Sequence, residues 1–519
     1  MPPLPDPVVY AIGQSADPDR ITRRVAAEPS GRARVVDRIL LDTFDGRLRR
    51  QNLSVWRDAR VTWGRLTLTL EASGRPTVSV PVDRPTGGPD RLLAADLPTG
   101  PVWEPVREAI DERALLARVR VRSRFTPYRV CDDEGKTVVR LQVEEPAVVN
   151  RGGSEHPLEP RLAVSGLLGY GRDHERVTAI LDRRLERGAR SLPEDALIVA
   201  GVPPKGVSSD VDVALKPGMR ADRATSLICR RLADVVDANL PGTIDDIDPE
   251  FLHDLRVAVR RSRSVLKEMR GVLAPDESER ARTDLKWIQE VTGPTRDLDV
   301  LLHDWPGMVG PVPASMAGDL QPLVDILHRA RAEAFRTMRR NLRSRRFQSA
   351  WSSWRATVEH RKYDGEDSGR PIGELAGGRI VAVYRGMTRQ GSRIDDASPP
   401  EALHDLRKRG KELRYLLELF GGMWPADKVK PLVSALKGLQ DELGHFQDDE
   451  IQVRELRSLG PELAAALGGT DSLIALGFVV EGLSARQAQA RADFERRFAS
   501  FASDETRRVV RTTFGTTGG

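Results

Sequence analysis

One stretch of the sequence places a histidine and four cationic side chains at steps of three and four residues. The row runs through His253, Arg256, Arg260, Arg263 and Lys267. In a helix, this spacing brings all five to one face. An arginine can bind two oxygens of an anion while a lysine acts as a point charge, so the row predicts a site for a long, repetitive anion. The alternative is that these side chains lie along the edge of the core and pair with acids of neighbouring helices.

The same pattern returns at His404, Arg407, Lys411 and Arg414, displaced by 151 positions (404 − 253). The same displacement relates a second series of residues further along each copy. These pairs are Leu285 and Leu436, Lys286 and Lys437, Gln289 and Gln440, Gly293 and Gly444, and Asp297 and Asp448. A register held this long without an insertion indicates a duplication, and it predicts a helical bundle with pseudo-twofold symmetry.

Each basic row lies next to an apolar row on the same helix. The apolar rows are Leu252, Leu255, Val259, Leu266 and Met269 in the first copy, and Leu403, Leu406, Leu413, Leu417 and Phe420 in the second. The two kinds of row are one residue apart, which corresponds to about 100° around a helix. Solvated charges usually lie opposite the core, so these rows are expected to face a groove or cavity between helices. Pairing with acids remains the alternative, and the candidates for it are Asp297, Asp299, Asp448 and Asp449.

Composition predicts a globular protein rather than a disordered one. Of 519 residues, 39% are hydrophobic and 30% are charged, with a formal net charge of +5. The two cysteines, Cys131 and Cys229, carry no metal-ligand spacing, which fits a reducing cytoplasm. We find no signal peptide and no run of about 18 apolar residues that would predict a membrane span. We therefore expect a cytoplasmic protein with no cofactor, no bound metal and no membrane partner.

The first 200 residues are predicted to be rich in β-strands. Segments 34–42, 61–71 and 77–82 are rich in valine, threonine, leucine and isoleucine and are separated by glycines and prolines. Further along, Arg118, Arg120, Arg122 and Arg124 alternate with smaller residues, so on a strand they would share one side. They either bind a ligand there or form a solvated outer face.

A change of composition divides the chain. Residues 201–215 are rich in proline, glycine and serine with little helical period, which predicts a linker. Beyond it, long helical periods rich in alanine, leucine and arginine begin. We predict an α+β protein with a β-rich domain at residues 1–200 and an all-α domain at residues 216–512.

Four segments of the N-terminal region carry a family resemblance. Residues 38–45 (Arg-Ile-Leu-Leu-Asp-Thr-Phe-Asp), 54–57 (Ser-Val-Trp-Arg), the run from 124 to 135 and the stretch 162–188 resemble the CYTH domain of triphosphate tunnel enzymes. The resemblance implies a closed antiparallel β-tunnel whose inward cations hold a triphosphate and whose inward glutamates hold a divalent metal. The implied tunnel cations are Arg57, Arg118, Arg120, Arg122 and Arg124.

The first strand departs from that family. It carries Glu-x-Glu-x-Lys in CYTH enzymes, whereas the corresponding residues 8–12 here are Val-Val-Tyr-Ala-Ile. Glu144 and Glu145 are the remaining candidates for an acidic set. Hydrolysis of a phosphoanhydride needs a metal to neutralise the oxygens and prepare a water nucleophile. The resemblance therefore implies a degenerate domain that binds phosphate without cleaving it.

The helical half carries a second resemblance. His253 opens the sequence His-Asp-Leu-Arg-Val-Ala-Val-Arg-Arg-Ser-Arg, followed by Leu-Lys-Trp-Ile at 285–288 and Arg-Asp-Leu-Asp at 296–299. The second copy repeats these motifs at 403–415, 436–440 and 444–448. They resemble the motifs of the CHAD domain. The resemblance implies two pseudo-symmetric four-helix bundles around a basic channel that binds inorganic polyphosphate, often beside a CYTH domain.

Spacing and resemblance together predict non-enzymatic binding of inorganic polyphosphate, with targeting to polyphosphate granules. The alternative is an inorganic triphosphatase or polyphosphatase acting in the N-terminal tunnel, and enzymatic activity stays open. Nucleic acid is disfavoured as a partner because the two rows offer a single aromatic for base stacking. The predicted polyphosphate-binding residues are His253, Arg256, Arg260, Arg261, Arg263, Lys267, Lys286, Arg296, His404, Arg407, Lys408, Lys411, Arg414, Tyr415 and Lys437.

Overall fold

The computed structural model describes residues 7–13, 17–60, 65–72, 77–83, 85, 88–188, 191–202, 213–360, 363–395, 397–466 and 469–515. The chain divides into two compact units, Met1–Ser208 and Ser209–Gly519. Most of the predicted linker at 201–215 lies outside the described residues. Among the helices that are described, none combines the length and apolarity needed to cross a membrane.

The first unit is built on an antiparallel sheet. Its described strands are β1 (Val8–Ala11), β2 (Glu28–Pro29), β3 (Arg34–Asp42), β4 (Leu53–Asp58), β5 (Arg65–Ala72), β6 (Val78–Asp83), β7 (Arg91–Leu92), β8 (Leu115–Cys131), β9 (Thr137–Val149), β10 (Glu155–Pro157) and β11 (Arg161–Gly166). The strand order is β1-β11-β9-β8-β3-β4-β5-β6, with β2 and β7 paired to β8 and β10 paired to β9. The predicted β-rich character of this region is therefore confirmed.

Alternation along the strands creates two different faces. Leu66, Leu68 and Leu70 of β5 are buried while Thr67 and Thr69 between them are partly exposed, as the period of two predicts. The predicted strand at 61–71 is seen from residue 65, because its first four residues lie outside the described part of the chain. Five helices accompany the sheet in the described residues. They are α1 (Pro18–Arg24), α2 (Arg47–Arg50), α3 (Glu104–Ile110), α4 (Gly171–Asp182) and α5 (Leu192–Val199).

The second unit is helical. Its described helices are α6 (Ala221–Ile244), α7 (Pro249–Glu268), α8 (Pro275–Met308), α9 (Gln321–Leu342), α10 (Arg345–Glu359), α11 (Ile372–Gly391), α12 (Pro400–Phe420), α13 (Ala426–Ser458), α14 (Gly460–Ala464), α15 (Gly469–Phe501) and α16 (Asp504–Phe514). Helices α6, α7 and α8 begin 151 positions before α11, α12 and α13 (372 − 221, 400 − 249 and 426 − 275). The sequence repeat is thus also a repeat of three successive helices.

The two basic rows lie on the equivalent helices α7 and α12. Asp248 caps α7 by accepting hydrogen bonds from the backbone N–H groups of Glu250 and Phe251, and Pro249 occupies the first turn. The apolar rows predicted for α7 and α12 are buried in one core, each residue at most 4% exposed. The members of the first basic row are all partly exposed, because they lie at the edge of this core. The predicted position beside the core is confirmed for that row.

Close packing of α6 against α7 holds the N-terminal turn of α7, where the first basic row begins. A Cβ added to Gly242 of α6 would lie 2.3 to 2.6 Å from ring atoms of Phe251, which is 2% exposed and two residues before His253. We expect Gly242→Ala to lower the free energy of unfolding by about 2 kcal/mol, because the buried ring must shift in a close-packed core. Urea denaturation of the full chain measures the change.

Gly378 of α11 provides the matched control, since it is exposed within a helix and a Cβ there would meet nothing within 4 Å. Gly378→Ala should leave stability unchanged or raise it slightly, because alanine is the better helix former. Equal effects of the two substitutions would contradict the packing argument.

Candidate anion-binding site

The rows of α7 and α12 approach each other across the repeat. Arg261 of α7 donates to Glu418 of α12 over 2.9 Å, and Lys267 of α7 pairs with Glu412 of α12. Both contacts join the first copy to the second. The duplication therefore brings its two basic rows to one place rather than to two separate surfaces.

Between α7, α8 and α12 lies a cavity of about 540 Å³, which we call the cationic cavity. Seven of its described lining residues are cations, drawn from both copies of the repeat. These are Arg260, Arg263, Lys267, Arg282, Lys286, Lys408 and Lys411. Its other lining residues are Ser264, Glu279, Thr283, Gln289, Glu412 and Tyr415. Positive charge thus exceeds negative charge by seven residues to two within this lining.

Most of these cations have one compensating partner. Three of them show the range of these contacts. Lys286 lies 3.5 Å from Glu290, Lys408 lies 3.1 Å from Asp405, and Arg282 lies 3.6 Å from Glu279. Arg263 donates to the side-chain oxygen of Gln289, a neutral acceptor, and forms no ion pair with the described residues. Several donors remain on each of these groups for an added anion.

Lys411 and Arg260 are the least compensated members. Lys411 forms no hydrogen bond or ion pair with the residues described here. Burial, together with the charges of Arg407, Arg260 and Arg414, lowers the pKa of Lys411 to about 8. The guanidinium of Arg260 lies 5.8 Å from the ring centre of Tyr415, and its buried Nε finds no hydrogen-bond partner among the described residues. A bound anion would compensate the charge of both groups and accept a hydrogen bond from each.

Comparison with known proteins identifies part of the helical unit. A family model for the CHAD domain matches residues 227–457, which include α7, α8 and α12. These residues form a CHAD domain.

Two curated relatives from Mycobacterium tuberculosis match the chain, each 28% identical over 227 residues. They are the uncharacterized protein Rv2226 of strain H37Rv and the uncharacterized protein MT2285 of strain CDC 1551. The match covers 43% of this chain and 42% of each relative, so the chain spans less than half the length of these relatives.

Two solved structures are also similar. One is the CHAD domain from the plant Ricinus communis, with 24% identity and a TM-score of 0.45 over 56% of this chain and 94% of that chain. The other is PptA from Streptomyces chartreusis, with 16% identity and a TM-score of 0.44 over 54% of this chain and 99% of that chain.

Two predicted arginines of the CHAD domain lie outside the cationic cavity. Arg256 donates to the backbone oxygen of Gln289 over 2.7 Å and to Thr292 Oγ1 over 2.8 Å, which ties α7 to α8. Its counterpart Arg407 donates to Asp448 over 3.0 Å and to Gln447 over 2.9 Å, which ties α12 to α13. Both arginines therefore connect the first and second motifs of their copies.

The predicted acids divide between two tasks. Asp448 pairs with Arg407 of the basic row, as the pairing alternative requires. Burial raises the pKa of Asp297, and the charges of Arg256 and Arg296 oppose this rise. Asp299 and Asp449 instead pair with Arg331 and Arg486, outside the rows. Acid pairing across helices thus applies to Arg407 and Lys267 of the rows, whereas Arg260 and Lys411 form no ion pair with the described residues.

The two copies are not equivalent in charge. Lys267 of the first copy corresponds to Glu418 of the second, and Glu418 accepts hydrogen bonds from both Arg261 and Arg414. Arg414 is therefore held away from the cavity, although its counterpart Arg263 lines it. Lys437 is exposed and lies outside the cavity, while its counterpart Lys286 lines it. The cationic surface is concentrated on the first copy.

The remaining predicted residues, Arg296, His404 and His253, are not among the described residues that line the cavity. Arg296 is 4.0 Å from Glu250, and His404 is 3.2 Å from the amide of Gln447 through its Nε2. Burial lowers the pKa of His404, and the charge of Lys408 adds to the effect. His253 is partly exposed on α7. Sequence reasoning missed Arg282, although its position four residues before Lys286 on α8 could have indicated a shared helix face.

The first unit has a larger cavity, of about 1260 Å³, which we call the N-terminal cavity. Its described lining contains four arginines and five carboxylates. The charged residues are Arg34, Asp42, Arg38, Arg49, Asp58, Glu71, Glu144, Arg161 and Glu194. None of the tunnel cations predicted from the sequence is among them. Arg34 and Arg38 were missed, although steps of two residues put them on the same face of β3 as Val36 and Leu40.

Strand register explains where the predicted tunnel cations lie. Arg38, which lines the N-terminal cavity, is opposite Val121 of β8, so the arginines on either side of Val121 point to the other face. There Arg120 and Arg122 both donate to Asp37, and Arg124 lies 3.9 Å from Glu145. This arrangement favours the solvated outer face.

The other two predicted tunnel cations and the two predicted glutamates also differ in their surroundings. Arg57 pairs with Asp90, and Arg118 lies 6.0 Å from the ring centre of Phe44. Glu144 lines the N-terminal cavity and accepts a hydrogen bond from Ser123 over 2.7 Å. Its neighbour Glu145 lies on the outer face with Arg124. The two glutamates therefore belong to different environments.

Proposed function

We propose that the CHAD domain of this chain binds inorganic polyphosphate in the cationic cavity, without cleaving it, and that this binding associates the protein with polyphosphate granules. The observation that carries the proposal is the convergence of cations from both repeats on one cavity. Lys411 and Arg260 have no acid partner there among the described residues. Desolvated, uncompensated cations bind an anion more strongly than solvated pairs do.

Polyphosphate fits this lining better than a nucleic acid does. Its charges recur along a flexible chain without bases, and the cavity offers arginines and lysines without a stacking platform. Tyr415, the one aromatic among the described lining residues, is only 8% exposed and lies beneath Arg260. Single-strand binders instead present several aromatics to successive bases.

Calorimetric titration of the full chain with polyphosphates of defined length tests the proposal. We expect saturable binding that single-stranded DNA of equal charge does not displace. Absence of binding, or full displacement by the DNA, would overturn it. If a fluorescent fusion of the protein stayed diffuse in cells that contain polyphosphate granules, the proposed association with granules would be wrong.

Polyphosphate affinity should depend on pH through Lys411. A bound anion favours the charged amine, so binding should raise the pKa of Lys411 above its value of about 8 and take up a proton. The affinity should therefore fall about tenfold between pH 7 and pH 9, where the free site loses its proton and the complex retains it. Titrations in two buffers of different ionisation enthalpy measure the proton uptake.

Lys411→Arg is the control for this pH dependence, because arginine stays charged throughout that range. The variant should show an affinity that is flat between the two pH values. A wild-type affinity that is equally flat would contradict the role given to Lys411.

The second candidate function is phosphoanhydride hydrolysis in the N-terminal cavity, favoured by its four arginines and by Glu144. The donor set does not fit a divalent metal. Glu71 is held by Arg38 and by the indole of Trp56, and the described residues contain no group of three or more His, Cys, Asp or Glu placed to hold a metal ion. Binding therefore stands ahead of hydrolysis.

A phosphate-release assay with tripolyphosphate and Mg²⁺ or Mn²⁺ tests the second candidate. Hydrolysis would rank ahead of binding if wild type released phosphate, Glu144→Gln abolished the release and Glu145→Gln kept it. Glu145 is the matched control because it has the same charge on the opposite face. No release from wild type leaves polyphosphate binding as the function of the chain.

A further inference from the structure

Lys411 differs from every other lysine of the cationic cavity. Lys267, Lys286 and Lys408 each pair with a carboxylate, respectively Glu412, Glu290 and Asp405. Lys411 has no such partner among the described residues, although it is partly exposed to the cavity. An amine next to other cations and partly desolvated spends more time uncharged, and an uncharged amine is a nucleophile.

We propose that Lys411 is a site of acylation by small acyl phosphates, and that acylation weakens the binding of anions in the cationic cavity. The second half of this proposal rests on the proposed function. The first half requires only that the cavity accept one phosphate group. Arg260, Arg263 and Arg282 line the same cavity and offer planar guanidinium groups for the phosphate oxygens.

The chemistry needs no further reactant. The uncharged Nζ of Lys411 attacks the carbonyl carbon of the acyl phosphate, and a carbon–nitrogen bond forms as the bond from the carbonyl carbon to the phosphate oxygen breaks. Inorganic phosphate leaves with the electron pair and takes up the proton that the nitrogen loses. The arginines stabilise the leaving phosphate as its charge develops. An amide remains in place of the amine.

Acylation would act directly on the cavity. It removes the charge of Lys411 permanently, whereas a change of pH removes it reversibly. It also adds an acyl group inside a cavity of about 540 Å³. A polyanion then loses one cation and some of the space it needs, so both effects weaken its binding.

Peptide mass spectrometry of the full chain treated with acetyl phosphate tests the first half. Lys430 is the internal reference, since it is exposed on α13 and lies outside the cavity. We expect Lys411 to be acetylated about tenfold faster than Lys430 at early times. Inorganic phosphate in excess should slow Lys411 and leave Lys430 unaffected. A rate ratio near one would overturn the proposal.

A phosphate-free acetylating ester separates recognition of the phosphate from simple reactivity. We expect the ratio of Lys411 to Lys430 to be smaller with the ester than with acetyl phosphate. Equal ratios with the two reagents would overturn the phosphate-directed step.

Polyphosphate titration before and after treatment tests the second half. Treatment of wild type should lower the affinity about tenfold, as expected for the loss of one charged contact. The Lys411→Arg variant should bind polyphosphate with the same affinity before and after treatment. Full acetylation of Lys411 with unchanged wild-type affinity would overturn the regulatory half. If untreated protein binds no polyphosphate, the proposed function fails, and the rate ratio still decides whether Lys411 is an acylation site.

Discussion

Replacing Arg260, Arg263 and Lys411 together with alanine should weaken polyphosphate binding about a thousandfold, since each charged hydrogen bond is worth about 1.5 kcal/mol. These three residues line the cationic cavity and have no carboxylate partner in the described structure. Their removal therefore takes away contacts to the anion without breaking an ion pair of the fold. Calorimetric titration with a polyphosphate of defined length measures the loss.

The matched control removes the same charge from another surface. Lys428, Lys430 and Arg457 are exposed on α13 and lie outside the cavity, so their triple alanine variant has the same net charge as the first. It should bind within about threefold of wild type, because distant exposed charges are screened by salt. Circular dichroism checks that both variants keep their helices. Equal losses in the two variants would show that binding follows net charge rather than the cavity.

Arg256 and Arg407 are unsuitable for this experiment, although they belong to the same rows. Substituting Arg256 would remove one donor from the backbone oxygen of Gln289 and one from the hydroxyl of Thr292, at a partly buried position. Arg407 holds Asp448 of α13 in the same way. A loss of binding in these variants could come from a shift of α8 or α13. Arg260, Arg263 and Lys411 form no ion pair with the described residues, so their removal disturbs the packing of α8 and α13 less.

Sequence periodicity was sufficient to predict the helical half. The displacement of 151 positions between His253 and His404 reappears as the displacement between the starts of three helix pairs. The apolar rows beside the basic rows are buried because a helix turns about 100° per residue, a property that does not depend on the rest of the fold. The CHAD domain was recognisable from the same motifs, since they include the residues that connect α7 to α8 and α12 to α13.

Which cations face the cavity could not be predicted from periodicity, because it depends on the neighbouring helices. Arg263 and Arg414 occupy equivalent positions, yet only Arg263 lines the cavity. The difference arises from Glu418, which replaces the first copy's Lys267 and holds Arg414. The spacing of cations on one helix predicts which face they share, but it does not predict which residues of the neighbouring helices that face contacts.

In the first unit, strand alternation likewise predicts which side chains share a face, but it does not predict which of the two faces lines the cavity. The spacing of Arg120, Arg122 and Arg124 predicts that they share a side, and they do share one. Which side faces the cavity depends on the pairing of Arg38 with Val121, which brings two distant strands into register. Glu144 and Glu145 are adjacent in sequence and were treated as one acidic set, although neighbours on a strand point to opposite faces.

Polyphosphate affinity should fall about a hundredfold between about 50 and about 200 mM salt, since about five phosphate contacts each release a counterion. The expectation follows from the seven cations that line the cavity, several of which share their charge with a carboxylate. Titrations at four salt concentrations give the slope of log affinity against log salt. A flat dependence would contradict binding by a line of cations.

The slope of log affinity against log salt also reports how many cations contact the phosphates. Loss of Arg260, Arg263 and Lys411 should make the slope shallower by about two, because each contact to a flexible anion contributes about 0.7. The α13 control variant should keep the wild-type slope, even if its affinity shifts slightly. A weakened triple variant with an unchanged slope would mean that these residues shape the cavity without contacting the anion. The slope therefore tests contact with the phosphates, which the loss of affinity alone does not.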